Sequence, residues 1–142
     1  MVSADRPVMS TVYLLDSQVW VWHLNEPERL RDPVRSLIRS GGSQLSISLA
    51  TIWELAIKAG SGRLPLPRPT TKFLLEQAAA RDIGILPIER HHLAIAEQLP
   101  FHHRDPFDRM IVAQAIAEGM TLITADAELE AYAVPVLLAA KA

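Results

Sequence analysis

The sequence predicts an α/β fold, a three-layer sandwich in which a central, mostly parallel β-sheet carries helices on both faces. Short apolar and β-branched runs alternate along the chain with segments of helical periodicity, a pattern typical of chains that build a parallel sheet. The short runs lack polar alternation, as expected for strands that are covered on both faces. Glycine and proline separate many of these segments, which supports treating them as distinct elements.

The first predicted strand is Thr11-Val-Tyr-Leu-Leu15, because it is β-branched or apolar throughout and is followed directly by Asp16. The run 45–49 predicts the second strand. The proline-rich stretch 63–69 is excluded from a central strand, since proline cannot donate to a sheet ladder. The remaining predicted strands are 83–88, 121–124 and 134–138.

The clearest predicted helix runs from Pro106 to Glu118. Asp105 stands at its N-cap position, Pro106 at the first helical position and Gly119 just past its end. Apolar residues at helical spacing also predict a helix over Thr70–Arg81. Shorter patterns predict helices at 19–24, 34–38 with an end at Gly41-Gly42, 51–59, 90–98 and 126–131.

Length and composition favour one soluble domain. We expect a single domain over residues 1–142, with 1–10 as a loose lead-in. The chain has no cysteine, which excludes disulfides and cysteine-based metal sites. Its formal net charge of −2 means that nucleic-acid binding requires a local basic patch. We expect a cytoplasmic location and no membrane segment, because no apolar run approaches roughly 18 residues and no signal-peptide pattern is present.

Carboxylates stand at several junctions between predicted strands and helices. In a parallel sheet these junctions meet along one edge, where open α/β sheets bind ligands. Each acid alone also suits a helix cap: Asp105 occupies an N-cap position and Thr51-x-x-Glu54 matches a capping box. Asp105 therefore stays open between a cap and a site role. The acids assigned to the edge are Asp16, Glu54, Asp108 and Asp126.

Several like charges at one edge repel each other unless a cation lies among them. Oxygen ligands without cysteine favour Mg²⁺ or Mn²⁺. We expect Asp16 and Asp108 to be direct ligands, and Glu54 and Asp126 to complete the site directly or through waters. Thr124 is a candidate to hydrogen-bond a carboxylate or a water at the metal. Whether one ion or two bind stays open.

Basic residues beside the acids are candidates to bind a polyanionic substrate, which acids alone would repel. For each of them a surface salt bridge is the alternative. Lys58 is one helical turn after Glu54, so the two share a face. The substrate-binding candidates are Lys58, Arg63, Arg104 and Arg109.

The histidine pairs and the tryptophans are less informative. We expect the pairs 91–92 and 102–103 to be poor metal sites, because adjacent residues on a regular element face different directions. Trp20, Trp22 and Leu24 fit either the core or an exposed apolar patch that marks an interface.

Five segments between Tyr13 and about Leu138 follow each other in a specific order and spacing. They are Tyr13-Leu-Leu-Asp-Ser17, Ser48-x-x-x-x-Trp53-Glu54-Leu-Ala-Ile-Lys58, Gly62-Arg63-Leu64, His103-Arg-Asp-Pro-Phe-Asp-Arg109 with Ala113-Gln-Ala115, and Thr124-Ala-Asp126. In this arrangement the chain resembles the PIN-domain ribonucleases, specifically VapC-like toxins of type II toxin–antitoxin systems.

The resemblance implies a PIN-like fold and Mg²⁺-dependent cleavage of RNA phosphodiester bonds. It makes Asp16, Glu54, Asp108 and Asp126 the acidic quartet, and Thr124 the hydroxyl beside the last acid. It also implies a cognate antitoxin that covers the active-site groove, and a homodimer. No acidic position is missing, which favours an enzyme over a non-catalytic RNA- or partner-binding module of the same fold. The RNA and the antitoxin stay open.

Two other classes combine a doubly wound sheet with an acidic Mg²⁺ pocket. A phosphate-accepting receiver module needs a paired acid near the first strand and a lysine that ends a late strand. Here Asp16 stands alone and Lys141 lies beyond the last predicted strand. A haloacid-type phosphatase needs a second aspartate two residues after the first, where this chain has Gln18. A metal-dependent endoribonuclease is therefore the primary hypothesis.

Overall fold

The computed structural model describes residues 11–41 and 44–141. The predicted lead-in 1–10 and Gly42, part of one predicted helix end, lie outside the described residues. The strands are β1 (Tyr13–Leu15), β2 (Leu45–Ser48), β3 (Gly84–Leu86), β4 (Thr121–Thr124) and β5 (Val136–Leu138). The α-helices are α1 (Ser17–Asn25), α2 (Asp32–Gly41), α3 (Leu49–Gly60), α4 (Thr70–Ala80), α5 (Arg90–Gln98) and α6 (Pro106–Glu118), and 3₁₀ helices span Pro27–Arg29 and Ala127–Ala131. Over the described ranges, no helix is long and apolar enough to cross a membrane.

The strands form one sheet in the order β3-β2-β1-β4-β5, and every neighbouring pair is parallel. The predicted parallel sheet is thereby confirmed. The chain builds the sheet outward from β1 to β3 and then returns to place β4 on the other side of β1. The carboxyl ends of β1 and β4 therefore form a topological switch point, where open α/β sheets bind ligands.

Side chains of the central strands alternate between two apolar cores, one on each face of the sheet. Leu15 and Ile123 belong to the core that includes residues of α1 to α4. Leu14 and Leu122 belong to the core that includes residues of α5 and α6. All four side chains are fully buried, and each such burial contributes about 1.5–3 kcal/mol. The predicted helices on both faces are confirmed.

Helix α6 begins and ends where the sequence predicts. The Asp105 side chain caps it, and Gly119 ends it in the left-handed conformation with φ of 67°, which glycine adopts without a steric penalty. The predicted short helix after Asp126 is a 3₁₀ helix. Strand β3 is shorter than the predicted run 83–88 and ends just before Pro87, which has no N–H to continue the ladder.

Helix α3 starts two residues earlier than predicted, and the predicted capping box at Thr51 and Glu54 is wrong. Ser48 is the N-cap, and its hydroxyl accepts a hydrogen bond from the Ala50 N–H at 2.9 Å. Thr51 and Glu54 lie inside the helix. The Glu54 carboxylate is therefore not needed as a cap and can serve the site.

The first-helix tryptophans do not form an exposed apolar patch. Trp20 is fully buried and Trp22 retains 7% of its accessible surface, so the core interpretation holds for both. Trp53 is the exposed tryptophan, at 61%. Trp53 lies on the outer face of α3, and its ring packs edge-on against Phe107 with centroids 5.3 Å apart.

Candidate acidic active site

Acidic side chains that are distant along the chain line one cavity of about 340 Å³ at the carboxyl edge of the sheet. Asp16 directly follows β1 and Asp126 comes two residues after β4, so both lie at the switch point of the sheet. Asp108 comes from the first turn of α6 and Glu54 from the middle of α3. The acids that line the cavity are Asp16, Glu26, Glu54, Asp105, Asp108 and Asp126.

Asp16 divides its two carboxylate oxygens between a cap and the site. Oδ1 accepts the Ser17 N–H at 2.6 Å and so caps α1. Oδ2 accepts a hydrogen bond from the Thr124 hydroxyl, also at 2.6 Å. Burial raises the pKa of Asp16, the bonds from Thr124 and Ser17 lower it, and the Glu54 charge raises it further, with a net upward shift.

Thr124 links the two strands of the switch point. Its hydroxyl donates to Asp16 and accepts the Asp126 backbone N–H at 3.0 Å. The side chain is fully buried. A hydroxyl that uses both its donor and its acceptor in this way fixes the first and the last acid relative to each other.

Asp108 is a second acid of the cavity whose pKa is raised. Burial raises its pKa to about 7, together with the charges of Asp16, Asp105 and Glu54 and against the opposing charge of His103. Asp105 is both cap and cavity residue, because its Oδ1 accepts the Phe107 N–H at 2.8 Å while the side chain lines the cavity. Crowded carboxylates of this kind fit a hard divalent cation that prefers oxygen ligands, such as Mg²⁺ or Mn²⁺.

Glu54 pairs with Lys58 as their spacing on α3 predicts. Lys58 Nζ donates to Glu54 Oε2 at 2.8 Å, and the carboxylate is almost completely buried. The lysine side chain keeps 40% of its surface exposed. The Lys58 ammonium group therefore balances the charge of the Glu54 carboxylate at the rim of the cavity.

His103 is a site residue that the sequence reasoning missed. Its Nε2 lies 2.9 Å from Asp126 Oδ2 and 3.4 Å from Asp108 Oδ2. Its Nδ1 accepts the Asp105 N–H at 3.1 Å, so in the neutral ring Nε2 carries the proton and acts as a donor. Burial lowers the pKa of His103, but the Asp126 hydrogen bond and the nearby carboxylates outweigh it and raise the pKa. The sequence feature that could have indicated His103 as a site residue is its place in the His103–Arg109 motif.

The structure contradicts the predicted substrate contact of Arg109. Its guanidinium is buried and donates to the carbonyls of Ala96, Leu99 and Pro100 at 2.9–3.1 Å. Nη1 also approaches the Tyr132 hydroxyl at 3.4 Å. Because all these partners belong to neighbouring protein segments, Arg109 ties the α5–α6 loop in place.

The other three basic candidates come together beside the acids. Lys58, Arg63 and Arg104 line a second cavity of about 370 Å³, which shares three lining residues with the acidic cavity. An unpredicted arginine, Arg29, lines the acidic cavity itself and lies 4.5 Å from the centre of the Trp22 ring. Arg29 belongs to no motif, which is why the sequence did not indicate it.

The expectation that adjacent histidines cannot face one site is wrong for His91 and His92. Both Nε2 atoms approach Glu118 Oε2, at 3.0 and 2.8 Å, because the first turn of α5 lies beside the end of α6. His92 Nδ1 accepts the Glu89 N–H at 3.0 Å. The neutral ring therefore carries its proton on Nε2 and acts as a hydrogen-bond donor to Glu118.

The sequence matches the PIN domain family over residues 13–135. The chain belongs to the PIN-domain family. The family resemblance noted from the sequence is thereby confirmed, and PIN-domain nucleases are metal-dependent hydrolases. The oxygen-rich cavity accords with that chemistry.

A curated ribonuclease and several solved structures are similar to this PIN domain. Ribonuclease VapC22 from Mycobacterium tuberculosis is 33% identical over 127 residues, which cover 88% of this chain and 95% of the relative. VapBC2 from Rickettsia felis, bound to a promoter DNA fragment, gives a TM-score of 0.69 at 17% identity and covers 90% of this chain and 98% of that one. FitAcB from Neisseria gonorrhoeae gives 0.59 at 24% identity, with 89% and 96% covered. The two solved structures support the fold.

Replacing Asp108 with Asn should stabilise the metal-free PIN domain. The folded state raises the pKa of Asp108 from 3.8 to about 7, so stability from this group is full below about pH 4 and is lost as the pH rises through about 7. Urea unfolding should show that the gain from Asp108→Asn is larger at about pH 8 than at about pH 5 by on the order of 2 kcal/mol. Glu76→Gln, at an exposed acid that pairs with no described residue, is the control. An equal gain at both pH values would contradict the prediction.

Removing the His103 donor should weaken the metal-free domain. His103→Ala is expected to lose about 1.5–3 kcal/mol, the usual contribution of hydrogen bonds to charged groups. His103→Gln keeps a donor near the position of Nε2 and should retain most of that stability. In urea unfolding with added Mn²⁺ the two variants should converge, since a cation neutralises the carboxylates. Equal stability of the two variants without metal would refute this role.

Proposed function

We propose that this PIN domain is a metal-dependent endoribonuclease and the toxin of a toxin–antitoxin pair. The observation that carries the proposal is the convergence of Asp16, Glu54, Asp108 and Asp126 on one cavity at the switch point of the sheet. The relative VapC22 is a ribonuclease and matches nearly the whole chain.

In this proposal Asp16 and Asp108 hold Mg²⁺ or Mn²⁺ directly, and Glu54 and Asp126 complete the set directly or through waters. When bound, the ion supplies Lewis acidity towards the phosphate oxygens and the attacking water. Thr124 holds Asp16 in place from behind, which is the usual support for a ligating carboxylate.

The substrate is proposed to enter along the shared rim of the acidic and basic cavities. Lys58, Arg63 and Arg104 contact phosphate groups on one side of the cleavage point, and Arg29 extends these contacts on the other. Such contacts position a strand without reading its sequence. Lys58 also holds the Glu54 carboxylate in place through their ion pair.

The proposed partners are a cognate antitoxin and a second copy of the chain. Solved structures of related folds contain VapBC and FitAB complexes, which supports an antitoxin. For the homodimer, the predicted patch at Trp20 and Trp22 is replaced by an exposed apolar stripe on α3 with Phe107 beside it. The stripe consists of Leu49, Trp53 and Ile57, which are 40%, 61% and 41% exposed.

A receiver module is disfavoured by the contents of the cavity. No lysine other than Lys58 lines the acidic cavity among the described residues, and Lys58 comes from α3 rather than from the end of a late strand. A non-catalytic module is disfavoured because each predicted acid lines the cavity.

Asp16→Asn should abolish RNA cleavage while leaving the fold intact. The variant removes one charge from the cavity. Its single amide oxygen can replace Oδ1 and so keep the cap to the Ser17 N–H, while the acceptor of the Thr124 hydroxyl is lost. We expect a loss on the order of 100-fold or more, since removal of a supporting residue alone costs 10–100-fold. Sequencing of RNA ends after brief expression tests cleavage and substrate together, with Glu76→Gln, at an exposed acid outside the cavities, as the control. Unchanged cleavage by Asp16→Asn would remove this residue from the mechanism.

Trp53→Ser should shift the protein towards the monomer. A large exposed aromatic at the centre of an apolar stripe is typical of interface anchors. Light scattering coupled to size exclusion measures the mass, and Leu93→Ser, at an exposed apolar residue of α5, is the control. Two outcomes would exclude this stripe as the interface. In the first, the dimer persists in Trp53→Ser; in the second, Leu93→Ser disrupts the dimer as well.

A further inference from the structure

A large basic cavity lies on the α1, α2 and α4 face, separate from the acidic one. It measures about 970 Å³ and shares no lining residue with the acidic cavity. Its charged lining consists of Arg35, Arg39, Arg81 and a single acid, Asp82, with His23 beside them. Three guanidinium groups against one carboxylate give this cavity a positive charge, in a chain whose net charge is −2.

Arg81 is held in a fixed orientation at the wall of this cavity. Its Nε donates to His23 Nε2 at 3.3 Å, and its Nη1 donates to the backbone and side-chain oxygens of Gln77 at 3.0 and 2.8 Å. The guanidinium carbon lies 5.7 Å from the centre of the Trp20 ring. Within the described ranges Nη2 makes no hydrogen bond. A donor that is oriented in advance in this way loses little entropy when it binds an anion.

Carboxylates of the protein balance little of the positive charge of the basic cavity. Arg35 pairs with Asp32, but that carboxylate is 80% exposed, and exposed pairs contribute little. Arg39 makes no ion pair with any described residue. Burial and then the charges of Arg81 and Arg39 lower the pKa of His23, as expected where cations crowd together. An anion bound here would relieve this repulsion.

Helix α1 and the following turn separate the basic cavity from the acidic one. Trp22 lines the acidic cavity and its neighbour His23 lines the basic one. In the following turn, Arg29 lines the acidic cavity and Pro27 lines the basic one. His23 is seven residues after Asp16, which is about 10 Å along a helix. A flexible, extended polyanion is therefore long enough to contact both cavities.

We propose that Arg35, Arg39 and Arg81 bind backbone phosphates of the RNA strand at a distance from the cleavage cavity. This inference rests on the proposed ribonuclease function. The planar guanidinium fork matches phosphate oxygens in pairs. Contacts of this kind add affinity without sequence preference. The site thus extends the RNA-binding surface across α1.

The test measures binding of labelled single-stranded RNA to the full chain by fluorescence anisotropy, in the Asp16→Asn background and without metal ion, so that no cleavage intervenes. Arg39→Gln should weaken binding of every RNA sequence by about 3- to 10-fold. The slope of log affinity against log salt should fall by about 0.7, the value for one lost single-strand phosphate contact. Arg90→Gln, at an exposed arginine outside all three cavities, should change neither.

Equal affinity and slope for Arg39→Gln and Arg90→Gln would overturn the proposal. A labelled oligoglutamate peptide provides a second arm. If Arg39→Gln weakens binding of this peptide but not of RNA, the cavity binds carboxylates of a protein partner and the proposal fails. If wild type with Mn²⁺ cleaves no RNA but RNA binding depends on Arg39, the ribonuclease function fails while the phosphate site stands.

Discussion

Repulsion among carboxylates at the ends of β1 and β4 is the constraint on which the rest of the site depends. Two neighbouring strands deliver Asp16 and Asp126 to this point, and α6 brings Asp108 towards them. Burial and mutual repulsion raise the pKa values of Asp16 and Asp108. The fold offsets part of this cost with hydrogen-bond donors that reach the acids from several elements, and a divalent cation is the natural complement. The donors are Ser17, Lys58, His103 and Thr124.

Capping and site roles do not exclude each other in this cavity. Asp126 uses Oδ1 to accept the Glu128 N–H and Oδ2 to contact His103. Asp16 divides its oxygens in the same way between Ser17 and Thr124. A carboxylate that caps a helix start is held rigidly and close to the positive end of the helix dipole. At Asp16 and Asp126 the capping signals of the sequence thus mark the same residues as the metal-site hypothesis.

Local signals account for what could be predicted from the sequence. Helix α6 could be bounded because Asp105 and Gly119 act on adjacent backbone, and the acids could be assigned to one edge because a parallel sheet collects its strand ends. Side-chain direction could not be predicted. Arg109 directly follows Asp108, but its guanidinium turns to carbonyls of the preceding loop. His103 contacts Asp126, which is distant along the chain, so its place in the His103–Arg109 motif marks the residue but does not show this contact.

The three cavities differ in their balance of charge: acids outnumber cations in the first, and cations outnumber acids in the other two. This reconciles a net charge of −2 with a polyanionic substrate. The electrostatic attraction that guides a charged substrate to a cleft depends on the local field near the cleft more than on the total charge of the protein. Lys58 stands where an acidic and a basic cavity meet, so a phosphate chain can pass from cation-lined surface to the carboxylates over a short distance. The carboxylates themselves would repel such a chain at close range unless a divalent cation lay among them. Metal binding and substrate binding are therefore coupled through the charge of these carboxylates.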